Sequence, residues 1–238
     1  MSVDILAIAA HRDDVELTCA GTLIKAVKQG HRTAVLDLTA GEMGSRGDAT
    51  SRAAEADAAA KIMKLSAREN LGLPDAALVN DIATRTLLAR VIRKAKPRVV
   101  IAPAHKSRHP DHRVTAELVR DACFVAGLAK LSPDLPKHRP HKVLHCVSFR
   151  QDFEKPTFVV DISDEFEEKM EAIRCYASQF DGAKQAGEVY PTGESLYDTI
   201  RSQSAYYGSL IRVRYGEPFF TTETVAVDDV LSLGVATF

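Results

Sequence analysis

Short apolar runs alternate with longer amphipathic stretches over the first two thirds of the chain. Four such runs predict buried strands, at 5–10, 32–39, 69–74 and 98–104. The stretches between them predict helices, at 16–29, 51–64 and 81–96, and a further helix runs from the HPDH segment towards Lys130. Strands that alternate with helices are typical of βαβ units, in which helices cover both faces of a parallel sheet. We therefore predict a single three-layer, Rossmann-like α/β domain with a mostly parallel sheet, spanning residues 1–238.

The last third of the chain has a less regular pattern. It predicts strands at 142–149 and 157–163, a helix from about 164 and a loop at 181–195. A second helix at 196–211 and a terminal strand at 215–227 follow. No internal repeat or low-complexity stretch divides the sequence, so one domain remains the prediction.

Composition narrows the class of protein. A net charge of -1 offers no overall field for a phosphate backbone, so nucleic acid is not expected as a partner. No stretch approaches the roughly 20 apolar residues that span a bilayer, and the first apolar run lacks a basic leader, so no membrane association is expected. The four cysteines are far apart and show no C-x-x-C spacing, which favours reduced thiols in a cytoplasmic protein.

The loop after the first predicted strand, HRDDVE, carries several ionisable side chains. A phosphate-binding loop would offer glycines here, whereas carboxylates would repel an anion unless a cation lay between them. His11 and Asp14 are three residues apart and close enough to share one metal ion, while Asp13 can project elsewhere without coordinating. The alternative is that these acids cap the following helix. A nucleotide-binding module is disfavoured because no G-x-G-x-x-G follows the strand.

A second ionisable segment, HPDH, follows the fourth predicted strand. Pro110 favours a helix start, and His109 and His112, at i and i+3, can share one face of the first turn. The carboxyl ends of parallel strands meet at one edge of a sheet, so both segments are expected there. Together they supply two imidazoles and a carboxylate, which is a usual set for catalytic Zn²⁺; Fe²⁺ uses the same ligand types. Asp111 could instead be a plain acid in the first turn of the helix.

These two segments carry a resemblance to a known family. AHRDDVE with a distant HPDH resembles the LmbE-like (PIG-L) family of zinc N-acetylglucosamine deacetylases. Five further segments look like the branch that deacetylates N-acetylglucosaminyl-malate in bacillithiol synthesis, namely DLTAGEMGSRGDATSRAAEA, RENLGLPD, FVVDIS, ASQF and YGEPF. Arg12 departs from the family, which usually has Pro or Ala there. The same chemistry on diacetylchitobiose, a phosphatidylinositol-linked glucosamine or the mycothiol precursor remains the alternative.

The resemblance implies a role for each motif residue. His11, Asp14 and His112 would hold the metal, and Asp13 would act as general base and then protonate the leaving nitrogen. His109, oriented by Asp111, would stabilise the oxyanion as an imidazolium. The partner would be a small amino-sugar substrate, and the family implies a homo-oligomer, either a trimer or a hexamer.

Residues outside the motifs are candidates for binding the sugar. Glu42, Arg46 and Arg108 could offer hydrogen bonds from the loops after the second and fourth strands. Arg52 matches an arginine that reaches the active site in the family, and its guanidinium suits a malate carboxylate. The position of a tyrosine that closes over the substrate in a relative falls on Leu196, with the candidate Tyr197 beside it and Tyr190 nearby.

Overall fold

A computed structural model describes residues 2–148, 155–181 and 195–235 of the 238-residue chain. The described strands form one seven-stranded sheet. They are β1 (Ile5–Ala9), β2 (Thr33–Thr39), β3 (Ala67–Leu73), β4 (Val99–Pro103), β5 (Lys142–Cys146), β6 (Phe158–Asp161) and β7 (Gly216–Phe220). Their order is β3-β2-β1-β4-β5-β7-β6; β1 to β5 run parallel, and β7 pairs antiparallel with both β5 and β6. The mostly parallel sheet is confirmed.

Helices pack on both faces of this sheet. They are α1 (Asp14–Thr18), α2 (Ala20–Lys28), α3 (Ala49–Ile62), α4 (Ile82–Ala95), α5 (Pro110–Ala126), α6 (Phe166–Arg174), α7 (Ala177–Phe180) and α8 (Leu196–Leu210), with a 3-10 turn at Val230–Ser232. Successive side chains of a strand point to opposite faces. Leu6 and Ile8 of β1 therefore join a cluster with α4 and α5, whereas Ala7 and Ala9 join another with α2, α3 and α6. The three-layer α/β fold is confirmed.

Helix ends follow local capping chemistry. Asp48 and Ser51 form a reciprocal capping box, so α3 begins at Ala49, two residues before the predicted start. The Asp81 carboxylate accepts from the backbone N–H of Thr84 and so caps α4. Pro110 occupies the first turn of α5, where its missing N–H costs nothing.

The prediction of a single helix at 16–29 is wrong in one respect. The structure has two helices there, α1 and α2, which are separated at Cys19 (φ -140°, ψ 15°). The break exposes the first N–H groups of α2, and Gly21 and Thr22 donate theirs to the Glu217 carboxylate at 2.9 and 2.7 Å. Lys169 completes this buried group, 2.7 Å from Glu217. The interruption follows from a contact with β7, nearly 200 residues away in sequence.

Other boundaries also differ from the sequence-based prediction. The terminal strand stops at Phe220 and not at 227, α5 stops at Ala126, and the helix from about 164 is divided at Tyr176 into α6 and α7. The predicted loop at 181–195 falls almost wholly outside the described residues. None of the helices in the described ranges has the length and apolar character required to cross a bilayer.

Candidate functional site

The carboxyl ends of β1, β3 and β4 bring three loops together at one edge of the sheet, where parallel α/β folds collect ligands. The loop after β1 carries His11, Asp13 and Asp14, and the loop after β4 leads into the first turn of α5. The two predicted motifs are therefore neighbours in space although about 100 residues separate them in sequence.

The three predicted metal ligands meet around one carboxylate. Asp14 Oδ2 lies 3.3 Å from His11 Nδ1, and Asp14 Oδ1 lies 3.0 Å from His112 Nε2. Burial alone would raise the pKa of Asp14, but the His112 and His11 rings outweigh it and hold that pKa well below its ordinary value. Asp14 is thus an ionised oxygen donor between two imidazoles. Ser107 Oγ, 3.2 Å from His112 Nδ1, fixes the orientation of that ring.

His109 stands in the same group of rings. Its centroid is 4.8 Å from that of His11 and 5.0 Å from that of His112, and one nitrogen from each ring lies within 4.8 Å of the others. Imidazole nitrogens and a carboxylate oxygen at these separations fit a divalent ion of the zinc type. The described residues therefore contain a donor set suited to the predicted cofactor.

The expected relation between His109 and Asp111 differs in the structure. The Asp111 backbone N–H donates to His109 Nδ1 at 3.2 Å, while the Asp111 carboxylate accepts from the Ala76 N–H at 2.8 Å. A ring nitrogen that accepts a hydrogen bond carries no proton. Burial, with His11 and His112 beside it, also lowers the pKa of His109. Both observations favour a neutral His109 ring, and Asp111 contacts that ring through its main chain.

Asp75 belongs to the site and was missed by the sequence analysis. Its Oδ1 lies 3.1 Å from His11 Nε2, and its Oδ2 accepts from the Met43 N–H at 3.0 Å. His11, Asp75 and Asp111 form a second group of closely spaced donor atoms. Asp75 follows β3 almost directly, so the rule that located the other two loops could have found it.

Asp13 is paired with Arg52 and lies beside the predicted metal ligands. Arg52 Nη2 lies 3.3 Å from Asp13 Oδ1, and Nη1 donates to the Gly41 carbonyl at 2.9 Å. Gly41 has φ +72°, and a Cβ there would lie 2.1 Å from Arg52 Nη1, so the close approach requires glycine. Burial, and then the Asp14 carboxylate, raise the pKa of Asp13 against the opposing effects of Arg52 and His11. A buried carboxylate with a raised pKa suits a proton acceptor.

The predicted sugar-binding residues have separate surroundings. Glu42 is exposed and accepts from the Asp75 N–H at 2.8 Å, which places it at the rim of the site. Arg46 donates to the Gln179 carbonyl at 3.3 Å, which ties the loop after β2 to α7. Arg108 is exposed immediately before His109.

The Tyr197 hydroxyl donates to Asp181 Oδ1 at 2.8 Å, and the Arg174 guanidinium lies 5.7 Å from the ring centroid. Tyr197 is thus engaged with residues near the end of α7 and with α6. Tyr190 lies outside the described residues.

A buried ion cluster supports the loop that carries His11, Asp13 and Asp14. Arg68 bonds Asp37 at 2.8 Å and Glu16 at 2.5 Å, and it also donates to the Arg12 carbonyl, which accepts from the Tyr176 hydroxyl as well. Burial raises the pKa of Glu16 to about 7 even though Arg68 opposes the rise. Arg12 lies between His11 and Asp13 in sequence. By bonding the Arg12 carbonyl, this cluster fixes the main chain in the middle of the loop.

Metal binding should depend on the protonation of His11. Burial disfavours its imidazolium, but the carboxylates of Asp14, Asp13 and Asp75 outweigh burial and raise the pKa of His11 to about 9 in the metal-free protein. A metal must displace that proton, so we expect affinity to fall about tenfold per pH unit below about pH 9. The same proton stabilises the metal-free fold below pH 6.5, and that contribution is lost as the pH rises through 9.

An NMR titration of the His11 ring in the metal-free protein measures this pKa directly. Asp75→Asn should lower the midpoint because it removes one of the carboxylates that stabilise the imidazolium. A wild-type midpoint near the ordinary value of about 6.5 would contradict the expectation.

Comparison with known proteins places this geometry in context. The family model described as PIG-L, GlcNAc-PI de-N-acetylase, matches residues 6–123, which include both histidine-containing motifs. The diacetylchitobiose deacetylase of Thermococcus kodakarensis is 31% identical over 225 residues, which cover 90% of this chain and 80% of that protein.

Two solved structures resemble the fold over nearly its whole length. The conserved protein TT1542 from Thermus thermophilus is 36% identical with a TM-score of 0.85, over 95% of this chain and 98% of that one. The N,N'-diacetylchitobiose deacetylase from Pyrococcus horikoshii is 27% identical with a TM-score of 0.78, over 92% of this chain and 83% of that one.

Proposed function

The chain belongs to the PIG-L family, and we propose that it is a metal-dependent hydrolase that removes the N-acetyl group from an N-acetylglucosamine conjugate. One observation carries the proposal: Asp14 lies between His11 and His112 at 3.3 and 3.0 Å, and beside them the carboxylate of Asp13 is held by Arg52. The site thereby combines a set of metal donors with a proton acceptor, which is the minimum that amide hydrolysis requires.

The proposed ligands of the divalent ion are His11, Asp14 and His112. When bound, Zn²⁺ or a similar ion supplies a Lewis acid for the acetyl carbonyl and lowers the pKa of water towards about 7. His11 and Asp14 come from one loop, and His112 comes from the first turn of α5, so binding the ion joins β1 to α5.

Asp13 carries the proton transfer in this proposal. Hydrolysis places a hydroxyl on the acyl carbon and a proton on the nitrogen, and Asp13 accepts the proton from water before returning it to the leaving amine. The raised pKa of Asp13 favours the intermediate, protonated state of this cycle. Arg52 keeps the carboxylate oriented through its contact with Oδ1.

His109 acts on the developing oxyanion as a neutral donor. Its Nδ1 accepts from the Asp111 N–H, so the ring proton resides on Nε2 and can be donated. A fixed donor that faces developing negative charge lowers the barrier without reorganisation.

The preferred substrate is a chitobiose-type sugar. Two relatives that match over most of the chain are named for diacetylchitobiose, whereas no comparison favours the bacillithiol precursor. The physical argument for malate also weakens, because the Arg52 guanidinium already contacts Asp13 and the Gly41 carbonyl. An arginine so engaged is less available to a substrate carboxylate.

A side-by-side assay tests the proposed function. Zinc-loaded protein is given diacetylchitobiose, N-acetylglucosaminyl-malate and N-acetylglucosamine, and the release of free amine is measured. We expect turnover of diacetylchitobiose, with a higher kcat/KM than that of the malate conjugate. Turnover of the malate conjugate alone would restore the bacillithiol hypothesis, and no amine from any of the three would remove the proposed activity.

Arg52→Ala should affect neutral and anionic substrates alike, because Arg52 positions Asp13. The loss of a hydrogen bond to a charged group is worth about 1.5–3 kcal/mol, or roughly 10- to 150-fold in kcat/KM. Arg32→Ala is the matched control and should leave the neutral substrate unaffected, because Arg32 is an exposed arginine directly before β2, at the opposite edge of the sheet from the site. A loss confined to the malate conjugate in Arg52→Ala would show that Arg52 binds the substrate carboxylate.

A further inference from the structure

A narrow pocket opens beside the proposed metal ligands, between α1 and the carboxyl ends of β1, β4 and β5. Asp14, His112 and Ser148 line it and keep some exposed surface, whereas Ala7, Cys19 and Cys146 line it and are buried. The pocket is therefore open on the side of Asp14, His112 and Ser148, and Cys19 and Cys146 belong to its buried part. Its volume is about 20 Å³, enough for a group about the size of a water molecule or a methyl.

The walls of this pocket are apolar. Small or hydrophobic residues form much of them, among them Ala9, Ile101 and Ala104. Two of the polar groups are already bonded within the protein: the Thr18 hydroxyl donates to the Asp14 carbonyl at 2.7 Å, and Cys146 Sγ contacts the Ala102 carbonyl at 3.3 Å. A polar occupant would find few partners there, and an alkyl group would be removed from water at a gain.

We propose that this pocket receives the acyl group of the substrate and that Cys19 and Cys146 limit it to acetyl. This inference rests on the proposed function. The carbonyl carbon of the amide must lie near Asp13 and the proposed metal ligands. Besides its oxygen, this carbon bears two substituents, the sugar nitrogen and the alkyl group of the acyl chain. The sugar nitrogen leads to a large polar group that requires solvent, so the small alkyl group is the substituent that matches an apolar pocket beside Asp14 and His112.

The two thiols lie in the buried part of the pocket wall. Cys19 is 1% exposed and Cys146 is 6% exposed, and both side chains are packed in the cluster between the sheet and α2, α3 and α6. A propionyl or butyryl chain would have to displace these side chains in a close-packed core. Replacing either cysteine with alanine removes a sulfur atom from this part of the wall and should admit a longer chain.

The test is a series of N-acyl chitobioses, with acetyl, propionyl and butyryl groups, assayed by release of free amine. One methylene in a hydrophobic pocket changes discrimination by about 10- to 200-fold, so the wild type should prefer acetyl over propionyl by at least about tenfold. Cys19→Ala and Cys146→Ala should each raise the propionyl-to-acetyl ratio of kcat/KM by about tenfold. Cys123→Ala is the matched control, because Cys123 is also a buried cysteine but lies in the cluster on the opposite face of the sheet.

A second measurement does not depend on turnover. Calorimetry of acetate, propionate and butyrate binding to the zinc-loaded protein should show the same cutoff in chain length and the same shift in Cys19→Ala and Cys146→Ala. If no sugar releases amine while this shift in binding is present, the proposed function is wrong and the acyl pocket stands. If amine is released but the chain-length profile is unchanged by both cysteine substitutions, or matches that of Cys123→Ala, the acyl pocket is overturned.

Discussion

Asp13→Asn should lower kcat/KM for an N-acetylated sugar by about 10²- to 10⁴-fold while the protein keeps its metal, because that is the usual contribution of a positioned acid or base. An asparagine fills the same space and can still contact Arg52, but it accepts no proton. Elemental analysis of the dialysed protein and kinetics on the same sample measure the two effects separately.

Asp14→Asn is the matched variant for this experiment. It makes the same chemical change one residue further along, at the carboxylate that lies between His11 and His112. We expect it to weaken metal binding, with activity partly recovered at high metal concentration. If Asp13→Asn loses the metal and Asp14→Asn keeps it, the roles of the two residues are reversed.

Arg68→Met should destabilise the fold by about 3–5 kcal/mol, the range for breaking a buried ion pair by removing one partner. Arg68 is the cation between Asp37 and Glu16, so its loss leaves two buried carboxylates uncompensated. The substitution also removes one of the two hydrogen bonds to the Arg12 carbonyl, which help to fix the loop that carries His11, Asp13 and Asp14. We therefore expect a lower kcat/KM even at temperatures where the variant is folded. Denaturant unfolding and steady-state kinetics at a temperature below the transition check both effects.

The pH dependence of Arg68→Met separates electrostatics from lost packing. The pKa of Glu16 is already raised to about 7, and without Arg68 both carboxylates should bind protons more readily. The destabilisation relative to wild type should therefore be smaller at pH 5 than at pH 8. Arg90→Met is the control, because its ion pair with Asp134 is exposed and should contribute less than about 1 kcal/mol. An equal destabilisation at both pH values would mean that packing, and not charge, dominates at Arg68.

Most of the fold could be predicted from local pattern. Apolar runs identified β1 to β4, and amphipathic or alanine-rich stretches identified α3 and α4 to within about two residues of their observed ends. The prediction was less accurate where a distant partner sets a boundary. The break at Cys19 depends on Glu217, which no window of neighbouring residues contains.

The candidate site also has residues that the local sequence predicts and residues that only the tertiary structure reveals. His11 and Asp14, like His109 and His112, are close in sequence, so their spacing alone indicates a shared function. Asp75, the contact of Arg52 with Asp13, and the hydrogen bond from the Asp111 N–H to His109 became evident only from the geometry.

The sequence by itself determined the class of fold, the two histidine-containing motifs and their common edge of the sheet, because these depend on residue period, short spacing and the direction of parallel strands. The tertiary structure decided which charges are neutralised and how much space remains in the pocket beside Asp14 and His112. Arg52 reaches Asp13 across 39 residues, and Tyr176 reaches the Arg12 carbonyl across 164. Such contacts, like the pocket lined by Cys19 and Cys146, depend on how separate elements pack, and packing is a property of the whole chain that no short segment encodes.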